Sequence, residues 1–468
     1  MSLSILSVCA EFAPLSKVGG LADVTSGLAR YLTRSGHKVV TLLPRSGPNI
    51  QKMRGTNIGG GELTIVADEP VADSFVKLPD QGAGDVIVLD CPDLFDAEIY
   101  GAGDAAEAQR FLALSASTLE LCRILNWQPD ILHCHDWHTA MAAYLMQESG
   151  AFPDTRSVLT IHNIGYQGVF SAEVVEDIAK DAVTSGSTDI NFLEVGVACV
   201  DAITTVSPTH AAEILTPEYG MGLEDLLEER SRNLTGILNG VDYTFWDPET
   251  DKAIAANYTL ATIDAKRANK SALLKELGAD DTDAPVVGMI SRLVYQKGSD
   301  LLVEALPDLF AAHSFVCIVL GDGDHAYVAT LAALAEEYPD QLHFIRGYNE
   351  GLAHRIMAGC DLLVVPSRYE PCGLTQMYAM RYGTVPVVRK TGGLADSVRH
   401  FDPATGEGHG VVFEDANPDG LKWGLATALG WYSDEPLWQQ LIHNGMTANF
   451  PWDEQGQLYE SLYRELVG

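Results

Sequence analysis

Apolar positions along this chain fall into two alternating textures. Short continuous apolar runs, LSILSVC (3–9) and HKVVTLLP (37–44), read as strands buried on both faces. Between them, Leu21, Val24, Leu28, Tyr31 and Leu32 recur at helical spacing over residues 20–35. That combination predicts a right-handed βαβ unit. Strand-like runs recur at 86–89, 130–134, 157–161 and 202–206, with helical patterns between them. After about residue 245 the alternation restarts with PVVGMIS (285–291), FVCIVLG (315–321), LHFIRG (342–347), DLLVVPS (361–367) and VPVVRK (385–390). The acidic, turn-rich stretch WDPETDKAIAANY (246–258) separates the two series. The pattern predicts an α/β chain of two doubly wound, Rossmann-like domains, residues 1–245 and 246–451. A last amphipathic helix, 452–468, is expected to pack back on the first domain, with Leu458, Leu462 and Leu466 along one stripe.

Composition narrows the possible partners. A length of 468 residues with 47% apolar and 20% charged positions suits a soluble protein with two full cores. The formal net charge of −34 argues against nucleic acid or an anionic membrane as partner. It also means that a phosphate-bearing ligand needs a few basic groups gathered against the global field. The eight cysteines are scattered, with no CxxC, and several lie in apolar runs. They read as reduced core thiols in a cytoplasmic protein. Neither a secretory signal nor an apolar span of membrane length is expected.

Four places carry candidate chemistry. Lys17-Val18-Gly19-Gly20 lies between a strand and a helix, where glycine lets backbone N–H groups approach a phosphate and the helix start adds partial positive charge. A simple tight turn is the plain alternative, and the spacing is not that of a nicotinamide-dinucleotide loop. Arg292 and Lys297 follow a strand in ISRLVYQKG and suit a diphosphate, unless they are merely solvated loop charges. Ser367 to Thr375 (SRYEPCGLT) leads from a strand into a helix. Gly373 is expected to open that helix, so the amides of Gly373, Leu374 and Thr375 suit an anion-binding terminus, with an ordinary helix cap as the plain alternative, and the Glu370 carboxylate is better suited to sugar hydroxyls. His133, His135, Asp136 and His138 suggest a metal cluster, but strand alternation puts Asp136 on the opposite face from the first two. A polar cluster at a strand end is the preferred reading, with His162-Asn163 in a similar position. An echo between KVGGLADV (17–24) and KTGGLADSV (390–398) fits a duplicated strand–turn–helix arrangement.

Together KVGGLADV, HDWHT, HNIGYQG, TTVSPTHAAEI, NGVDYTFWDP, ISRLVYQKG, EPCGLTQMYAMRYGTVPVV and TGGLADSV resemble the bacterial glycogen synthase and plant starch synthase family, in family order and across essentially the whole chain. The resemblance implies a GT-B fold, two Rossmann-like domains facing across a deep cleft. It implies transfer of glucose from ADP-glucose to the non-reducing end of an α-1,4-glucan with retention of configuration, without metal or other cofactor. By the same resemblance Lys17 and Asp23 belong to the donor site and Asp136 and His162 surround the reacting sugar. Gly19, Gly20, His138, Asn163 and Asn239 line the substrate. Arg292 and Lys297 hold the distal phosphate, and Glu370 with Cys372, Gly373, Leu374 and Thr375 forms the glucose site. Val18, Gly165, Glu194 and a short 95–110 region depart from the family pattern; the last two bear on acceptor contacts. Tyr378 stands where related transferases carry a second glutamate. A front-face displacement is expected, and a covalent two-carboxylate route is its competitor. The rival readings are a transferase using UDP-glucose or another acceptor, and an inactive glucan-binding relative.

Overall fold

The computed structural model describes residues 2–66, 69–95, 98–101, 104–175, 179–182 and 187–468. Residues 96, 97, 102 and 103 of the short 95–110 region therefore lie outside the described residues. The chain divides into two units: Met1–Gly240 with Trp452–Gly468, and Val241–Pro451. The division falls five residues earlier than the acidic stretch suggested, because Val241 pairs with Pro451 and Trp246 stacks inside the second unit.

The first unit holds β1 (Ser4–Val8), β2 (Lys38–Pro44), β3 (Thr56–Val66), β4 (Glu69–Lys77), β5 (Asp85–Asp90), β6 (Ile131–His135), β7 (Arg156–Ile161), β8 (Val169–Ser171), β9 (Asp189–Asn191), β10 (Ala202–Thr205) and β11 (Leu234–Gly236). Its main sheet runs β11-β10-β7-β6-β1-β2-β5-β4-β3, parallel except where β4 meets β5 and β3. Helices α1 (Gly20–Arg34), α2 (Asp104–Ile124), α3 (Trp137–Ser149), α4 (Phe192–Cys199), α5 (Pro208–Glu213) and α6 (Glu224–Glu229) follow the strands. Period-two alternation sends Leu6, Val8, Leu132 and Leu159 to one face with Phe111 and Met141. It sends Ile5, Ile131 and Val158 to the other, with Val24 and Leu28 of α1. The apolar stripe of α1 is buried along its whole length.

The second unit is a parallel sheet ordered β14-β13-β12-β15-β16-β17. Its strands are β12 (Val286–Ile290), β13 (Val316–Gly321), β14 (Leu342–Arg346), β15 (Leu362–Val365), β16 (Val385–Arg389) and β17 (Val411–Phe413). Helices α7 (Lys266–Glu276), α8 (Ser299–Ala312), α9 (His325–Glu337), α10 (Glu350–Gly359), α11 (Thr375–Arg381), α12 (Gly392–Ser397), α13 (Pro418–Tyr432) and α14 (Glu435–Thr447) surround it. In both units strand order reverses beside the first strand, at β6-β1-β2 and at β15-β12-β13. Open α/β sheets bind ligands at the carboxyl ends of strands at such a reversal, where the flanking loops diverge. Both candidate loop sets grow from these points.

The terminal helix α15 (Trp452–Val467) packs on α1 in the first unit, with Leu462 and Leu466 of the leucine stripe partly buried at the edge of a contact centred on neighbouring residues. Leu458 is 51% exposed, whereas Trp452, Gly456, Tyr459 and Tyr463 are buried. Two glycines make this possible: a Cβ on Gly27 would lie 2.1 Å from the Trp452 ring, and one on Gly456 2.2 Å from Tyr31. Gly456→Ala is therefore expected to cost about 1–3 kcal/mol by overpacking. A thermal melt checks it, with an unchanged Tm counting against this account of the helix seat.

Candidate active site

In the first unit, β1 ends at Val8 and the chain loops through Lys17-Val18-Gly19 into α1. Lys17 Nζ pairs with Asp23 Oδ1 at 2.8 Å, so two predicted donor-site residues are joined across the first turn of the helix. The backbone differs from expectation. Glu11 Oε2 accepts the N–H groups of Val18 (2.6 Å) and Gly19 (2.8 Å), and Glu11 Oε1 accepts the Tyr100 hydroxyl at 2.7 Å. A buried carboxylate thus occupies the amides that the sequence reading assigned to phosphate, and it fixes the loop from beneath. Glu11 was missed; its signal was a single acid inside the apolar run VCAEFAPL. Gly19 itself has φ −138°, open to any residue, and a Cβ there would meet nothing within 4 Å. The fold does not demand this glycine.

The histidine cluster sits at the ends of β6 and β7. His133 and His135 lie on one face, ring centroids 4.1 Å apart. Their nitrogens are spent on neighbours: His133 on Thr160 Oγ1 (2.6 Å) and the Tyr463 hydroxyl (2.7 Å), and His135 on His162 Nε2 (3.0 Å) and Ser7 Oγ (3.3 Å). Burial pushes His133, His138 and His162 down to about 3, and His135 well below the usual imidazole range. All four rings are therefore neutral near pH 7. His138, predicted to contact substrate, stacks on Trp137 at 4.1 Å and edges onto Phe111 at 4.6 Å. It is packed among aromatics rather than in a polar group.

Asp136 stands just past β6 with φ +58° and ψ −176°, a backbone geometry costing about 1–3 kcal/mol for a non-glycine residue. The turn aims its carboxylate at the next strand end, where Oδ1 accepts the N–H of His162 (2.7 Å) and Asn163 (3.3 Å). Desolvation raises its pKa to about 7, opposed by those two N–H bonds and aided by the negative charge of Glu11. Asp136, His162 and Asn163 are thus one assembly. Asn239, also predicted, is buried with an Oδ1 that has no hydrogen-bond partner among the described residues.

In the second unit, Arg292 follows β12 and is exposed. Lys297 closes the next turn and pairs with Glu370 Oε2 at 2.5 Å; Ser367 Oγ donates to the same oxygen at 2.9 Å. Predicted phosphate ligand and predicted sugar ligand therefore meet directly. Glu370 is 6% exposed. Gly373 has φ +70°, and a Cβ there would approach Gln376 to 2.7 Å, so this turn requires glycine. Leu374 is the residue before α11, which begins at Thr375 rather than at Gly373. Gly392 and Gly393 of the echoed motif press on this loop: their Cβ atoms would lie 2.1 Å from Glu370 O and 2.3 Å from Cys372 Cα. The Thr391–Leu394 stretch thus buttresses the EPCGL loop. Cys372 is buried beneath it, and Tyr378 stacks on Trp246 at 4.2 Å. Among the described residues no group of three or more His, Cys, Asp or Glu is arranged to hold a metal ion.

Two family models match the chain: the starch synthase catalytic domain over residues 4–229 and glycosyl transferases group 1 over residues 272–446. With two doubly wound units, they define a glycosyltransferase of the GT-B class. Glycogen synthase 2 of Agrobacterium fabrum is 40% identical over 100% of this chain and 93% of its own length. Glycogen synthase of Anaeromyxobacter dehalogenans is 41% identical over 99% of this chain and 100% of its own. The catalytic domain of starch synthase IV from Arabidopsis thaliana, solved with ADP and acarbose, superposes with a TM-score of 0.93 at 32% identity, covering 100% of both chains. The chain belongs to the glycogen synthase and starch synthase family. No helix among the described residues is long and apolar enough to cross a membrane.

Proposed function

We propose that this glycosyltransferase transfers glucose from ADP-glucose to the non-reducing end of an α-1,4-glucan with retention at the anomeric carbon. The observation that carries the reading is the Lys297–Glu370–Ser367 cluster at the strand reversal of the second unit. It sets a cation fit for a phosphate beside a carboxylate fit for sugar hydroxyls. Gly19 supports it from the first unit, because its bare Cα keeps open a space that the fold leaves unfilled. Relatives named glycogen synthase over the full chain, and a neighbour holding ADP and acarbose, support donor and acceptor alike.

In the reaction, the bond between the anomeric carbon and the phosphate oxygen breaks as the acceptor hydroxyl attacks from the same face. The departing phosphate oxygen takes the hydroxyl proton. Arg292 and Lys297 stabilise the charge building on that phosphate, and Lys17 with Asp23 steadies the donor from the glycine loop. Asp136 and the loop of His162 and Asn163 face the sugar cation, with Asn239 offering its unsatisfied carbonyl to a hydroxyl. Glu370 and the Cys372–Thr375 backbone hold the glucose. Fixed cations supply the charge that a metal would otherwise bring, so the proposal includes no metal or cofactor. Residues Gly165 to Phe170, Trp137 and Met221 line a groove of about 640 Å³ in the first unit, with Tyr166 half exposed, and it suits the glucan. Eight free thiols, seven of them buried, fit a reducing cytoplasm.

Purified protein incubated with glycogen and either ADP-glucose or UDP-glucose tests the reading. Chain extension at least tenfold faster with ADP-glucose is expected. Preference for UDP-glucose would replace the donor, and extension with neither would remove the proposal.

A further inference from the structure

Strand β17 forms one edge of the second sheet, and α13 packs beside it. Between them lies a groove of about 420 Å³ lined by Lys390, Val398, His400, Val412, Glu414 and Trp423. None of these residues belongs to the cluster described above. Trp423 is 50% exposed, and its ring lies 5.9 Å from His400 at an interplanar angle of 20°. The two rings form a flat apolar shelf at an otherwise polar surface. Lys390 Nζ and Glu414 Oε1 meet at 2.8 Å at its side, both well exposed.

The chemistry of the groove selects its occupant. An exposed sheet edge is a template for an added peptide strand. Here the edge is blocked, because His400 Nδ1 accepts the Val412 N–H at 3.1 Å. That bond leaves the proton of the neutral ring on Nε2, a donor for a hydroxyl. Desolvation lowers the His400 pKa against a smaller opposing pull from the Asp402 charge, so burial keeps the ring neutral near pH 7. Lys390 is already neutralised by Glu414, and the chain as a whole carries −34. An anionic polymer therefore meets no net attraction. A neutral polyol with alternating apolar and hydroxyl faces fits: its C–H face lies on the aromatic shelf, while ammonium, carboxylate and imidazole N–H take the hydroxyls.

We propose that this groove docks a neutral oligoglucoside segment of the polymeric acceptor. The inference rests on the glucan reading of the previous section. A second contact on the same chain raises the effective concentration of polymer ends without touching the chemistry. It acts on long acceptors and not on short ones.

The test is electrophoretic retardation in glycogen-containing gels, with kinetics on glycogen and on maltotriose, for the parent, Trp423→Ala and Trp423→Phe. The alanine variant is expected to weaken glycogen binding roughly tenfold and to raise KM for glycogen several-fold. Its kcat and its KM for maltotriose stay at parent values. The phenylalanine variant retains most of the retardation, and equal melting temperatures confirm the fold. Parent-like retardation of Trp423→Ala overturns the proposal, as does an equal rise in KM for maltotriose. Failure of the parent to extend maltotriose strikes the transferase reading instead, while retardation still reports on the groove.

Discussion

Lys297→Ala is expected to lower kcat by about 10²–10³-fold, the usual consequence of losing one fixed stabiliser of charge formed in the transition state. Two explanations for such a loss are separable. Lys297 is bonded to Glu370 at 2.5 Å, so its removal also strips a buried carboxylate of its cation. That carboxylate retains Ser367 as donor, and the loss appears as a lowered Tm. If Lys297 were only a counter-ion, Lys297→Ala/Glu370→Gln would recover both stability and turnover, because no unpaired charge remains. If it stabilises the leaving phosphate, the double variant recovers Tm and stays slow. Glu370→Gln alone keeps the cation and is expected to raise KM for the donor sugar while leaving inhibition by ADP unchanged. Parent-like turnover in Lys297→Ala, or in the double variant, would remove Lys297 from the phosphate site.

Much of this was legible because the strands are buried on both faces. Runs such as HKVVTLLP and FVCIVLG mark themselves by continuous apolarity, and each became a sheet strand. The hairpin of β3 and β4 left no such mark. Its first strand passes through Gly59-Gly60-Gly61, sits at a sheet edge, and has Thr56 and Asn57 in solvent. The three-residue strands β8, β9, β11 and β17 are too short for any period to register. In the terminal helix, leucines at four-residue spacing mark only the edge of the buried face: Leu462 and Leu466 are partly buried and Leu458 is exposed, because the centre of the seat was decided by the partners. Gly27 and Gly240 leave room for a tryptophan, and Tyr31 leaves room for no side chain at Gly456.

The site divides in the same way. Lys17, Asp136, His162, Arg292, Lys297 and Glu370 were proposed from residue type and from their place in the loops that follow strands. Who pairs with whom was not, since a lysine and a glutamate 73 residues apart share no local pattern. Glu11 was hidden because a buried acid looks, in sequence, like an interruption of a strand. In the glycine loop, two amides assigned to a ligand from the sequence are used by the protein itself.

Asp136→Asn is expected to do two opposite things: lower turnover by about 10²-fold or more, and raise stability above neutral pH. The side chains are isosteric, and the amide oxygen still accepts the His162 N–H that the carboxylate holds at 2.7 Å. Asparagine carries the same backbone strain at this φ and ψ, so that cost cancels between parent and variant. What changes is charge. In the folded chain burial lifts the Asp136 pKa to about 7 from the ordinary 3.8, so folding favours the neutral acid. The stability this confers is complete below about pH 4 and is lost as pH climbs to about 7. The parent should therefore fall behind the variant across that window, by up to about 4 kcal/mol, and stay behind above it. Activity moves the other way, because only the ionised carboxylate offsets positive charge on the sugar. Parent turnover should rise with pH through about 7, and the variant should lack that limb. The cluster's imidazoles cannot supply it, since burial holds His133, His138 and His162 near 3. A Tm difference that is flat from pH 4 to 8 would show that the fold does not oppose ionisation of Asp136. An unchanged pH–rate profile in Asp136→Asn would show that its charge is not used. The two readings are independent, and together they ask whether this chain gives up stability to keep a carboxylate charged at the end of β6.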